Sequence, residues 1–253
     1  MSANGARLAS LRELFAEREL DALLVTNLVN VRYLSGFTGT NGVLLVSARE
    51  ALLLTDFRYI EQATAQAPGF EIADGGQKPR ELLAERMPAP GRVGFDDADM
   101  RVQAHAAWLK ALPEGISLEP AAGLIEQLRE VKDAGEIDAI ARAAGIADSI
   151  YATLDEEGLA GRSERDVAWR IECLAHEYGA TGLSFPPIVA AGAHGALPHA
   201  EPRDRPIERG ELVVLDLGVI VDGYCSDATR TFATGEPSAA EREVYELVLA
   251  AQR

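Results

Sequence analysis

Two aspartates, Asp216 and Asp227, lie in a segment that otherwise has the pattern of a buried β-hairpin, ELVVLDLGVIVDGYCSDATRTF. An ionised carboxylate inside an apolar strand is costly unless a partner compensates its charge. Two such carboxylates on one hairpin therefore predict a shared cation. The alternatives are a pair of surface aspartates on an amphipathic hairpin, or an ion pair between Asp227 and Arg230.

The turn of this hairpin predicts how its strands pair. Asp222-Gly223 is a strong signal for a two-residue turn. A turn there places Asp216 opposite Thr229. Because side chains alternate between the faces of a strand, Asp216, Asp227 and Thr229 share one face. The two aspartates are then diagonal neighbours, roughly 7–8 Å apart at the backbone, and one or two divalent ions fit between their carboxylates.

Two of the four histidines, His194 and His199, precede the hairpin in a polar, proline-rich loop. Either imidazole could join the aspartates at a metal, since imidazole and carboxylate together suit Zn, Mn, Fe or Co. The alternatives are contact with a substrate or a merely solvated loop histidine. Neighbouring Cys225 falls on the opposite hairpin face, where we expect it to pack as a small hydrophobic residue.

The composition excludes several classes of protein. The chain has 253 residues, of which 47% are hydrophobic, and its net charge of −16 argues against a nucleic-acid partner. No apolar stretch approaches the roughly 18 residues of a membrane span, and the N-terminus lacks a signal-peptide core. Only two cysteines occur, so a reducing, cytoplasmic setting is expected. Serine-hydrolase, P-loop and dinucleotide-binding motifs are missing.

The elements that must position the aspartates fall into two parts. Up to residue 122 helix, strand and turn patterns alternate, which predicts an α/β domain with its own core. Asn27–Thr40 is predicted as a loop or broken helix. The predicted strands are 22–26, 42–47, 51–55 and 92–96, and the predicted helices are 6–19, 57–66 and 99–112.

From residue 123 longer helical patterns take over. The predicted elements are one or two helices over 124–157, a helix from the N-cap Ser163 through His176, a strand over 185–191, the hairpin, and a last helix opened by Ser238. Val244, Leu247 and Val248 are predicted to form the inner side of that last helix. The helical pattern reaches residue 253 without a stop signal, so we expect the second part to be cut short.

The segment SFPPIVAAGAHGALPHAEPRDRPIERGELVVLDLGVIVDGYCSDATRTFATGEPS resembles the first half of the catalytic domain of the Xaa-Pro peptidase family. This family of M24 "pita-bread" metallopeptidases includes aminopeptidase P and prolidase. The segments NLVNVRYLSGFTGTNGVLLV and LLLTDFRYIEQA resemble its N-terminal domain. The resemblance implies an α/β (α+β) fold: a creatinase/prolidase-type domain over 1–122, then the first half of a pita-bread domain over 123–253.

The resemblance also implies a reaction. A hydroxide that bridges two divalent metal ions (Mn, Co or Zn) would attack the peptide bond before a proline in the second position of a peptide substrate. Asp216 would bind one metal ion and Asp227 both, while His199 would orient the substrate and Thr229 would support the ligands from behind. The resemblance further implies a homodimer. The absence of a membrane or nucleic-acid partner is expected from the composition and charge.

The family takes a further histidine and two glutamates as metal ligands, and they follow the position where this sequence ends. We therefore expect the 253-residue chain to lack them, which leaves its own activity open. Two alternatives remain. One is a creatinase-like, metal-free hydrolase of a C–N bond in a small guanidino compound. The other is a non-catalytic binding or scaffold protein on the same fold.

Overall fold

The computed structural model describes residues 3–253, so the first two residues of the predicted N-terminal domain lie outside it. The chain divides into two compact units, Met1–Val131 and Lys132–Arg253. The elements of the first unit are α1 (Ala3–Glu17), β1 (Ala22–Val25), α2 (Leu28–Ser35), β2 (Val43–Ser47), β3 (Ala51–Thr55), α3 (Ile60–Gln66), β4 (Glu71–Asp74), α4 (Pro79–Arg86), β5 (Gly91–Phe95), α5 (Val102–Ala111), β6 (Ile116–Pro120) and α6 (Leu124–Glu130).

The first unit is built on a six-stranded sheet in the order β4-β3-β2-β1-β5-β6. Strand β2 is antiparallel to both neighbours, and the other pairs are parallel. All four residues of β1 are buried, as an apolar strand covered on both faces should be. Leu23 and Val25 enter one core, whereas Ala22 and Leu24 enter the other. The sheet therefore separates two apolar layers.

The segment predicted as a loop or broken helix contains the regular helix α2. The side chain of Asn27 accepts hydrogen bonds from the backbone N–H groups of Val29 and Asn30 and so caps the helix start. The helix ends at Gly36, whose φ of 84° is left-handed. These polar and glycine residues, which suggested a loop, are the two ends of a short helix.

The first unit continues past the predicted boundary between residues 122 and 123. Helix α6 follows that boundary, yet its Leu124 and Ile125 are buried in the same core as Leu8, Leu11 and Phe15 of α1. An apolar helix face belongs to the core that buries it. The contacts therefore divide the chain after Val131.

The elements of the second unit are α7 (Ala134–Glu157), α8 (Glu164–Glu177), β7 (Gly182–Leu183), β8 (Ile188–Ala191), β9 (Leu212–Leu217), β10 (Val219–Val221), β11 (Tyr224–Cys225), β12 (Ala228–Ala233) and α9 (Ala239–Gln252). They form two three-stranded sheets, β12-β9-β8 and β11-β10-β7. Capping boxes begin all three helices, including the predicted one between Ser163 and Asp166. Strand β8 is shorter than predicted because Pro186 and Pro187 precede it.

Two predictions of burial in the second unit are wrong. Val244, Leu247 and Val248 of α9 are exposed by 59%, 69% and 61%, because no described element covers this face of the helix. Cys225 is exposed as well. It lies on β11, which is an edge strand, so one of its sides is open.

Candidate metal centre

Asp216 lies on β9, the middle strand of the sheet β12-β9-β8. Val213, Leu215 and Leu217 alternate with it along the strand and are fully buried. Asp216 itself is half-buried, on the opposite face. The apolar face of the strand packs into the core and so fixes the position of the carboxylate, which projects from the other, more accessible face of the strand.

The turn that follows β10 has the predicted geometry. Asp222 and Gly223 have φ angles of 50° and 80°, as a two-residue turn with two left-handed positions requires. Val221 pairs with Tyr224, and further along the hairpin Asp216 pairs with Thr229. The predicted register is thus confirmed.

Asp227 lies where the hairpin passes from one sheet to the other, between β11 and β12. The backbone at Gly218 passes very close to the backbone at Ser226 there, so that a side chain at position 218 would overlap the carbonyl oxygen of Ser226. Ser184 joins both strands, because its N–H donates to the Gly218 carbonyl at 2.8 Å and its hydroxyl to the Ser226 carbonyl at 2.9 Å. Glycine at position 218 makes this crossing possible, and Asp227 emerges from it exposed.

Asp216 and Asp227 line one open cavity of about 450 Å³ together with His199. Three of the residues predicted to act at the site therefore come together. The fourth, Thr229, donates a hydrogen bond of 2.6 Å from its hydroxyl to Oδ1 of Asp216. The walls of the cavity are otherwise mostly apolar and consist of Phe185, Pro186, Pro187, Ile188, Ala200 and Pro202, with Glu201 as a further polar residue.

The carboxylates of Asp216 and Asp227 have the chemistry of metal-ion ligands. Oxygen donors bind Mg²⁺, Ca²⁺ and Mn²⁺ well, and Asp227 has no hydrogen bond or ion pair within residues 3–253. The alternative pairing with Arg230 is not found, since that guanidinium lies 3.7 Å from Asp148. In the described part of the chain no three His, Cys, Asp or Glu side chains are grouped as a metal site. Asp216 and Asp227 offer two carboxylates, and a complete coordination sphere needs more donors than these.

His194 is separate from this cavity and is held by a buried glutamate. The Nδ1 atom of His194 lies 2.9 Å from both carboxylate oxygens of Glu164, the first residue of α8. That carboxylate is fully buried and also accepts the N–H groups of Ala191 and Arg203, each at 2.9 Å. Burial by itself would raise the pKa of Glu164, but these donors hold that pKa below its ordinary value.

Glu164 thereby fixes both ends of the segment that carries His199, because its partners Ala191 and Arg203 flank that residue in the chain. Sequence reasoning missed this contact. The only available signal was an acidic residue directly after the N-cap Ser163, which also fits an ordinary helix start.

Tyr151 of α7 is a second residue that sequence reasoning missed. Its hydroxyl donates to the carbonyl oxygens of Ala228 and Leu215, on the two strands that carry Thr229 and Asp216. Burial, and secondarily the charge of Asp216, raise the pKa of Tyr151. In the sequence it is an aromatic member of the apolar face of α7, and its polar end gave no separate signal.

Comparison with known proteins identifies the family. The profile of the Creatinase/Prolidase N-terminal domain matches residues 7–131, and that of Metallopeptidase family M24 matches residues 129–253. Over 248 residues the chain is 39% identical to the uncharacterized peptidase YqhT of Bacillus subtilis (strain 168), covering 97% of this chain and 70% of that protein. The chain belongs to metallopeptidase family M24.

Solved structures agree with this M24 assignment. The Xaa-Pro dipeptidase from Bacillus anthracis matches with a TM-score of 0.94 and 38% identity, covering 98% of this chain and 70% of that one. The X-Pro aminopeptidase from Thermotoga maritima MSB8 matches with a TM-score of 0.86 and 31% identity, covering 94% of this chain and 70% of that one. The predicted fold class is therefore confirmed, and the relatives support a peptidase function. None of the helices in residues 3–253 is long and apolar enough to cross a bilayer.

Proposed function

We propose that this M24 chain serves in the metal-dependent hydrolysis of Xaa-Pro peptide bonds. The observation that carries the proposal is the cavity that Asp216 and Asp227 share with His199. Support also comes from the names of two matching structures, an Xaa-Pro dipeptidase and an X-Pro aminopeptidase. The substrate is a peptide or dipeptide with proline in its second position.

Each residue of the cavity has a role in this proposal. Asp216 would hold one of two divalent ions, and Asp227, which has no competing partner within residues 3–253, would hold both. Thr229 holds Oδ1 of Asp216 by its 2.6 Å hydrogen bond and so orients the other oxygen toward the metal. His199, which lines the same cavity, orients the substrate. The apolar wall of Phe185 to Ile188 suits the ring of a proline residue.

Divalent ions such as Mn, Co or Zn would polarise the scissile carbonyl and lower the pKa of a bound water. The chain itself supplies the carboxylates, their fixed spacing on the hairpin, and a partly apolar cavity.

We further propose a cytoplasmic homodimer. The exposed, unpaired cysteine at position 225 fits a reducing compartment, and light scattering on the purified chain tests the dimer.

The metal ligands are tested by calorimetric titration with Mn²⁺ of the chain and of three variants, Asp216→Asn, Asp227→Asn and Asp222→Asn. The last is the matched control, because Asp222 lies in the same hairpin but outside the cavity. We expect the first two variants to weaken Mn²⁺ binding about tenfold or more, since each removes a charged ligand. Equal affinity in all four proteins would refute the assignment of the ligands.

The reaction is tested by hydrolysis of Ala-Pro and Gly-Pro in the presence of Mn²⁺, with Gly-Ala as the control peptide.

One observation favours a second candidate for the 253-residue chain, namely binding without catalysis. Two carboxylates line the cavity, and within the described residues no group of three possible metal ligands is found. Saturable Mn²⁺ binding that depends on Asp227, without turnover of either proline dipeptide, would establish this candidate.

A further inference from the structure

A second cavity, of about 260 Å³, lies in the first unit, beyond the ends of several strands of its six-stranded sheet. Thr26 directly follows β1, Asp56 follows β3 and Gly75 follows β4, and all three residues line the cavity. Because these three strands run in the same direction, their carboxyl ends lie together at this end of the sheet. Ligands of open α/β sheets bind outside the carboxyl ends of the strands. We infer that this cavity binds a small organic carboxylate with a short apolar body.

Two polar atoms of the cavity lack a partner. The Oγ1 atom of Thr26 and the Nε atom of Arg80 are buried, and neither forms a hydrogen bond within residues 3–253. Buried polar groups are nearly always hydrogen-bonded in folded proteins. Both residues line the same cavity, and a ligand with acceptor oxygens would give them partners if their side chains turned toward it.

The charges around the cavity favour an anion. The carboxylate of Asp56 is already saturated, since Arg58 donates to both of its oxygens at 2.9 and 2.8 Å and Asn41 donates to Oδ2. These bonds hold the pKa of Asp56 well below its usual range. Arg80, in contrast, has no carboxylate partner in the described part of the chain. The guanidinium of Arg80 therefore contributes a positive charge that a bound anion would balance.

The orientation of Arg80 suits a carboxylate in particular. Its guanidinium lies over the ring of Trp108, 5.8 Å from the ring centre. Stacking on an aromatic face restricts the guanidinium, and the planar donor fork matches the two oxygens of a carboxylate. Helix α4 also begins at the cavity with Pro79, and its N-cap residue Lys78 provides no capping side chain. The positive end of that helix adds to the attraction for an anion.

The rest of the lining sets the size and the apolar character of the ligand. Val43, Leu54, Leu83 and Trp108 supply apolar walls. Sites for drug-sized ligands have volumes of roughly 300–1,000 Å³, so a cavity of 260 Å³ takes a molecule with only a few carbon atoms. Nucleotides and polyphosphates are too large, and inorganic phosphate would leave the apolar walls unused.

The site is tested by saturation-transfer NMR on the full chain with isobutyrate at millimolar concentration. Isobutyramide is the matched neutral probe, because it has the same shape without the charge. The variants are Arg80→Gln and the milder Thr26→Val. Arg86→Gln is the control, since Arg86 lies on the same helix but pairs with Glu71 on the surface. Circular dichroism melting verifies that each variant is folded.

We expect the isobutyrate methyl signals to gain saturation in the wild-type chain and in Arg86→Gln. Arg80→Gln should weaken binding about tenfold or more, as the loss of a charge-assisted hydrogen bond predicts, and Thr26→Val should weaken it a few-fold. The inference is overturned if the wild-type chain binds no isobutyrate, if isobutyramide binds equally well, or if the folded Arg80 and Thr26 variants bind as the wild type does.

Discussion

Replacement of Glu164 should have a large effect on stability, because its side chain is fully buried and satisfies three donors. Glu164→Ala would leave two backbone N–H groups and the imidazole of His194 without their acceptor. A buried donor left without an acceptor costs about 1–3 kcal/mol, and three donors lose their acceptor here, so the total should be several kcal/mol. Glu164→Gln keeps the shape and one acceptor oxygen, so its cost should be nearer the 1.5–3 kcal/mol of about one charge-assisted hydrogen bond.

The assay is urea unfolding followed by far-ultraviolet circular dichroism, which reports the loss of the helices. Glu177→Ala is the matched control: this exposed residue of α8 pairs with Arg170 at 2.9 Å, and such surface pairs contribute about 0–1 kcal/mol. The reasoning is refuted if Glu164→Ala lowers the free energy of unfolding no more than Glu177→Ala does. Such a result would mean that water replaces the carboxylate at no cost.

Glu164 also predicts how stability depends on pH. Its pKa is lower in the folded chain than in the unfolded chain. Its contribution is therefore complete above the unfolded pKa and declines as the pH falls toward the folded pKa. Over this acidic range, the free energy of unfolding of the wild type should fall more steeply than that of Glu164→Gln.

Three further substitutions probe the hairpin. Thr229→Val removes the hydrogen bond to Asp216 and should weaken Mn²⁺ binding a few-fold in calorimetry, in line with about 1 kcal/mol for one hydrogen bond; unchanged affinity would exclude a supporting role. Gly218→Ala should lower the free energy of unfolding by about 1–3 kcal/mol through overpacking. The control, Gly145→Ala in helix α7, should raise that free energy by up to about 1 kcal/mol. Equal effects of the two substitutions would contradict the close approach of the strands at Gly218. Tyr151→Phe should cost about 1 kcal/mol in urea unfolding. It should also remove one tyrosine with a raised pKa from an ultraviolet pH titration, because burial keeps the folded form of Tyr151 protonated above the range where the unfolded form loses its proton.

The hairpin shows what can be predicted from the sequence. The turn residues Asp222 and Gly223 require backbone angles that few other residue pairs adopt, and strand alternation then assigns each side chain to a face. Local rules of this kind gave the pairing of Asp216 with Thr229 without any knowledge of the rest of the chain. The specific motif around Asp227 gave the family.

Burial and long-range partners were less predictable. The apolar periodicity of α9 located the helix but did not show that Val244 and Leu247 are uncovered. The pairing of Glu164 with His194 joins residues 30 positions apart, and no local pattern encodes it. The free polar atoms of Thr26 and Arg80 became visible only once the sheet had brought distant loops together. Sequence patterns report periodicity, whereas these features depend on which segments become neighbours.

The two-residue turn at Asp222-Gly223 also makes the spacing of the hairpin intolerant of small insertions. A slip of one residue moves every side chain of a strand to its other face. One extra residue between β10 and β11 would therefore point Asp227 away from Asp216, even with every amino acid of the cavity retained. Length variation at this point in related chains should come in steps that preserve parity, and under the proposed function a chain with an odd insertion should bind Mn²⁺ more weakly.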